Sequence, residues 1–290
     1  MLKSRLVACL IMRDGMIVQS FGFKQYLPIG SPKFAIEYVT RWDVDEIVFL
    51  DISATQQSRL IDGVVLEALS ERCFVPLTVG GGISSVKQAR QIVRAGSDKV
   101  SINSHALRDP KLISELAEVL GSQCVVVSID AKQHADGHYQ VFSHDQHSTT
   151  EIRVEDWALR CEQMGAGEIF LNSVDRDGSR SGYDLDLIDT VCSRVSVPVI
   201  CCGGVGRFNH FTDGLNMGAS AVAAANIFQH VEHSTILAKS HLLKDNVNVR
   251  LDSDATYRGR ELDSFGRLKM MNLDQLPRVD RTGGDSGANN

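Results

Sequence analysis

Val125-Val126-Val127-Ser128-Ile129-Asp130 is a short apolar run that ends in a carboxylate, and Leu6-Val7-Ala8-Cys9-Leu10-Ile11 is its counterpart 119 residues earlier. The segments after each run repeat at nearly the same offset. Phe49-Leu50-Asp51 answers Phe170-Leu171-Asn172, Gly81-Gly82-Ile83 answers Gly203-Gly204-Val205, and Gly96 answers Gly218. Two similar halves predict one body with a pseudo-twofold axis. Ile11 stands where the second half places an acid.

Working outward, apolar runs at 5–11, 46–51, 76–80, 98–102, 124–130, 167–172, 197–202 and 220–225 read as strands. Amphipathic segments lie between them, such as Phe34 to Val39 after Pro32, Ser85 to Val93, and Leu112 to Ala117. Eight strands alternating with helices over about 250 residues predict an α/β fold, a (β/α)8 TIM barrel of two half-barrels. A doubly wound open sheet is the alternative, and four βα units in each half favour closure. Residues 1–251 form the barrel in this reading, and 252–290 form a polar C-terminal extension, read as disordered; the alternative is one docking helix carrying Leu262, Phe265, Leu268, Met270 and Met271. Two long loops, 13–31 and 132–150, follow the first strand of each half and belong to the C-terminal face.

The bulk composition sets limits. The chain has 290 residues, is 43% apolar and carries a net charge of −6, which argues against nucleic acid as the main partner. Seven cysteines lie scattered in apolar runs without zinc-ligand spacing, so they read as small buried hydrophobes in a reducing compartment. Vicinal Cys201-Cys202 reads as part of a tight strand. The first apolar run is too soon interrupted by Arg13-Asp14 for a signal peptide, and no run reaches membrane-spanning length. A cytoplasmic protein without membrane association is expected.

Chemistry concentrates at strand ends. Val79-Gly80-Gly81-Gly82-Ile83 and Cys202-Gly203-Gly204-Val205-Gly206 each follow a strand and read as opening a helix. Such glycines serve either tight turns or an anion cradle of backbone amides, and two runs at matched positions favour a ligand with a phosphate at each end. Asn103 and Ala225-Asn226 end the next strands and would complete the two cradles. Asp130 points into the mouth as a general acid or base. Asp51, Asp175, Asp177 and Gly178 add to the same face. No histidine cluster accompanies these carboxylates, so neither a metal nor a cofactor is expected. At the opposite face, Arg5, Glu46, Asp98-Lys99 and Glu168 open strands one, two, four and six, where they would pair in a ring around the axis.

These motifs resemble the cyclase subunit of imidazole glycerol phosphate synthase, the HisF family, along residues 1–251. Val48 to Ile52, Thr78 to Ile83, Ser97 to Asn103, Val127 to Lys132 and the long run Ser173 to Asp184 carry the likeness. The resemblance implies a separate glutaminase, of the HisH type, that releases ammonia. The ammonia crosses the barrel to a bisphosphorylated substrate, which two aspartates at the mouth convert by lyase and cyclisation chemistry. It makes Arg5, Glu46, Lys99 and Glu168 the ammonia gate, and Asp98 a glutaminase-docking residue. It makes Gly81, Gly82, Asn103, Asp177, Gly178, Gly203, Gly204, Ala225 and Asn226 phosphate and substrate contacts. The mouth departs from the family: Ile11 replaces the first catalytic aspartate, Gln19-Ser20 replaces a substrate-gripping lysine and glycine, and His144 to Ser148 replaces a Gly/Lys-rich run.

The Cys9-Leu10-Ile11 ending with Phe23 to Pro32 downstream is similar to HisF-like proteins of surface-polysaccharide clusters, which implies ammonia delivery to a separate sugar amidotransferase. Three functions are therefore expected to compete. One is an ammonia-conducting amidotransferase subunit. Another is a histidine-pathway cyclase in which Asp14 or Asp51 compensates for Ile11. The third is a glutaminase-activating scaffold that binds no phosphorylated ligand. A phosphoribosyl isomerase fits the Asp175–Asp184 run poorly. No Gly-x-Cys-x-Gly nucleophile turn is present, so the glutaminase must be another chain.

Overall fold

The computed structural model describes residues 3–229, 233–253, 255, 257, 261, 268 and 269. Its strands are β1 (Arg5–Arg13), β2 (Met16–Phe21), β3 (Gln25–Gly30), β4 (Glu46–Asp51), β5 (Leu77–Gly80), β6 (Lys99–Ile102), β7 (Val125–Gln133), β8 (Tyr139–Ser143), β9 (Ser148–Arg153), β10 (Glu168–Ser173), β11 (Val199–Cys202) and β12 (Ala221–Ala224). Parallel pairing runs β10-β11-β12-β1-β4-β5-β6-β7, and β7 pairs back onto β10. Eight parallel strands thus close into the expected barrel.

The helices are α1 (Pro32–Arg41), α2 (Gly63–Ser70), α3 (Val86–Arg94), α4 (Ser104–Arg108), α5 (Lys111–Leu120), α6 (Val154–Gln163), α7 (Leu185–Cys192), α8 (Asn209–Asn216) and α9 (Ser234–Lys244). The repeat is visible in how they bury. α1 buries Pro32, Ala35, Ile36 and Val39, and α6 buries Val154, Trp157, Ala158 and Cys161 at the same spacing. Three- and four-residue steps put each set on one face, against the outside of the barrel. Lys239 of α9 is fully buried, with Nζ 2.7 Å from Asp45 and 3.3 Å from Asp43. Asp45 also accepts from the Leu6 amide at 2.8 Å, so this pair ties α9 to β1.

Two expectations change. The spans read as long loops are antiparallel ribbons: β1 continues into β2 and β3, and β7 into β8 and β9. Asp14 (φ +50°) and Gly15 (φ +81°) make the first turn, with both central residues left-handed as a two-residue hairpin requires. The second change concerns register. Glu46 and Glu168 both open their strands, so Leu50 corresponds to Asn172 and Asp51 to Ser173. Matching Asp51 to Asn172 is one residue out of step, and in a strand one residue changes the face. Val48 and Phe170 pack in the inner cluster, whereas Asp51 is held by Arg59 at 2.6 Å.

In the C-terminal extension, Tyr257 and Leu268 pack against the barrel core. The other residues named there, Leu262, Phe265, Met270 and Met271, lie outside the described residues. All seven cysteines are free thiols, and Cys201 and Cys202 are buried in β11. Among the described residues no helix is long and apolar enough to cross a membrane.

Candidate active site

At the N-terminal end of the barrel, Arg5 donates to Glu46 at 2.7 Å and to Glu168 at 2.6 Å. Lys99 Nζ donates to Glu46 at 2.9 Å and to Glu168 at 2.6 Å. Each acid lies between two cations and each cation between two acids, so the ring is closed. Thr78 adds a hydroxyl to Glu46 at 3.1 Å. Asp98, next to Lys99, is exposed and accepts from the Leu77 amide at 2.8 Å. Above the ring the interior is apolar: Val7, Cys9, Val48, Val126, Phe170, Ile200, Ala221 and Ala223 fill it.

At the other end a cavity of about 360 Å³ opens. Ile11 and Leu50 line one side, and their half-barrel counterparts Asp130 and Asn172 line the other. Asp130 is 5% exposed and densely bound. Its carboxylate accepts from Asn103 Nδ2 at 2.6 Å and Asn172 Nδ2 at 3.3 Å, and His144 Nε2 lies 2.7 Å away. Asn103 is therefore engaged with Asp130. Asp177 is also in the mouth, accepting from Ser20 Oγ at 2.6 Å and the Phe23 amide at 3.0 Å. Burial raises its carboxyl above the usual range, against these two hydrogen bonds. Together with Asn226 Nδ2, which donates to Ser20 O at 2.9 Å, Asp177 fastens the β2–β3 ribbon over the mouth.

The glycine pairs, Gly178 and Ala225-Asn226 also line the cavity, but α3 and α8 begin only at Val86 and Asn209. The glycines have a backbone reason of their own. A Cβ on Gly82 (φ +72°) would lie 1.9 Å from Arg59 O, and one on Gly204 (φ +91°) 2.2 Å from Gly182 O. What points to a polar ligand is a different set. Ser101 Oγ, Asn172 Oδ1 and Asn226 Oδ1 are buried without a partner among the described residues and belong to residues lining the cavity. Buried polar atoms are nearly always satisfied, so an unfilled set in a cavity marks where ligand atoms belong.

Neither proposed substitute for the missing acid is placed to act. Asp14 sits in the β1–β2 turn with its carboxylate 64% exposed, accepting from Ser53 and Gln57. Asp51 borders the cavity but is neutralised by Arg59. The group that does meet Asp130 is His144, carried just past β8. Its ring stacks on Phe23 at 5.5 Å and meets Phe142 edge-on at 5.4 Å. No strand-end rule applied to the sequence finds His144, because a ribbon delivers it to the mouth.

Burial alone would lower the His144 pKa, but the hydrogen bond and charge of Asp130 raise it overall above the ordinary 6.5. A folded pKa above the unfolded one means the pair contributes stability fully below about 6.5. That contribution fades as pH rises through the raised value. In an NMR titration His144 is expected to titrate above the ordinary histidine value in the wild type and to fall in Asp130→Asn. A wild-type value at or below the ordinary one would contradict the pairing.

A family model described as histidine biosynthesis protein matches residues 5–234. A Vibrio vulnificus (strain YJ016) protein, provisionally named imidazole glycerol phosphate synthase subunit hisF2, is 47% identical over 268 residues, which is 92% of this chain and 98% of the relative. The chain belongs to the HisF family. In this HisF-family barrel four charges close one ring at the base, Asp130 lies in the mouth, and position 11 is a hydrocarbon on the cavity wall.

Proposed function

We propose that this HisF-family chain is the ammonia-using synthase subunit of a two-chain glutamine amidotransferase. A separate glutaminase of the HisH type docks at the base, beside Asp98, and its ammonia passes the ring to the mouth. The observation that carries this reading is the closed Arg5-Glu46-Lys99-Glu168 ring, joined to the mouth cavity by an apolar interior. Between the ring and the cavity the packed side chains are apolar, and neutral ammonia enters such surroundings at less cost than ammonium, which would have to shed its hydration there.

The acceptor is phosphorylated and differs from the family's usual substrate. Ile11 removes one proton-transferring carboxylate and Gln19 one cation, and the likeness of Cys9-Leu10-Ile11 to the polysaccharide-cluster proteins makes a surface-polysaccharide sugar, amidinated with a partner sugar amidotransferase, the intended product. A second reading has its own observation. His144 beside Asp130 would supply the proton transfer that position 11 lacks and leave a genuine imidazole glycerol phosphate cyclase.

Turnover of the ribulosyl-aminoimidazole bisphosphate substrate by the purified chain with excess ammonium salt separates the two. The wild type is expected to show only background turnover. Turnover lost in both Asp130→Asn and His144→Ala would establish the cyclase. Calorimetry with a phosphorylated ligand tests the scaffold alternative, which predicts no binding at all.

A further inference from the structure

The ribbon β7–β8–β9 has two turns. The second brings His144 to the mouth. The first gathers three side chains that no expectation from the sequence had joined: His134, Asp136 and His138. The spacing resembles no zinc motif, and the turn creates the proximity. His134 N donates to His138 O at 2.8 Å and Gly137 N to His134 O at 2.9 Å, so the two histidines face each other across the closing pair. Gly137, at φ +93°, supplies the left-handed step that brings the chain back.

Above this frame the imidazoles stack with centroids 5.1 Å apart and planes 25° from parallel. One oxygen of Asp136 meets both rings, at 3.1 Å from His134 Nδ1 and in contact with His138 Nδ1. One ligand atom from each of the three residues lies within 4.8 Å of the others. Around a tetrahedral zinc such atoms stand about 3.3 Å apart, so small side-chain rotations suffice. The remaining nitrogen of His138 has a supporting group, since Gln140 Nε2 lies 3.4 Å from His138 Nε2. When a metal takes Nδ1, the proton moves to Nε2, and an amide flip lets the Gln140 oxygen accept it.

We propose that the turn between β7 and β8 is a binding site for a borderline divalent cation of the zinc class, held by His134, Asp136 and His138 with water in the open position. Two imidazoles and one carboxylate suit that class, and hard cations prefer all-oxygen sets. The site is independent of the amidotransferase reading, although β8 alone separates it from Ser143 and His144.

Isothermal titration of the full-length, untagged protein with zinc chloride tests it, alongside His134→Ala, His138→Ala and Asp136→Asn. The expected result is one zinc per chain, weakened about tenfold or more in each variant, with no heat from magnesium chloride. Zinc should also shift the His134 and His138 imidazole resonances and spare His144. These side chains belong to an exposed turn, and unchanged thermal unfolding of the variants would show that the barrel is intact. No zinc binding, or binding equal in the wild type and both histidine variants, would overturn the proposal.

Discussion

Glu46→Ala is expected to lower stability by about 3–5 kcal/mol in urea-induced unfolding, the usual cost of removing one partner from a buried ion pair. Glu46 is 1% exposed and accepts from Arg5, Lys99 and Thr78. Without it two cations crowd around Glu168, the only acid left in the ring. The loss comes chiefly from the stranded charges, so Glu46→Ala combined with Lys99→Met should cost less than the sum of the single changes. Strict additivity would mean that the ring is four separate contacts. Glu46→Gln should fall between, because it keeps the hydrogen-bonding shape without the charge.

Ile11→Asp is expected to give the barrel ammonium-driven cyclase turnover about a hundredfold or more above the wild type, within the range one positioned proton-transfer group supplies. Position 11 lies on the cavity wall and is the half-barrel counterpart of Asp130. A carboxylate there would rebuild the pair of acids across the mouth. The gain should disappear in Ile11→Asp combined with Asp130→Asn, because the second acid is then missing. A wild type that already turns over as fast as Ile11→Asp would favour the reading in which His144 does this work. The assay measures conversion of the ribulosyl-aminoimidazole bisphosphate substrate at saturating ammonium salt.

What could be read from residues alone follows physical lines. Each barrel strand is a continuous apolar run because both of its faces are buried, and such runs stand out between amphipathic helices. The ribbons do not. β3 is mostly exposed and β9 is polar, so neither shows the alternation of a half-buried strand. The Asp14-Gly15 and Asp136-Gly137 dipeptides are the hairpin signals the sequence carries there. Asp130 and the ring were visible because strand ends fix where side chains point. The sequence marks His144 only as the start of the altered run 144–148, and its contact with Asp130 depends on a ribbon's length and fold. Asp51 shows a third kind of failure: its likeness to Asn172 is a similarity of letters that strand register contradicts.

Glutamine hydrolysis by the cognate HisH-type glutaminase, measured with and without this chain, tests the central claim most directly. Adding the chain is expected to raise hydrolysis, Asp98→Ala to weaken the effect by loosening docking, and Ile11→Asp to leave it unchanged. Hydrolysis that is indifferent to the chain would contradict the account, because a barrel that does not engage a glutaminase has no ammonia to conduct.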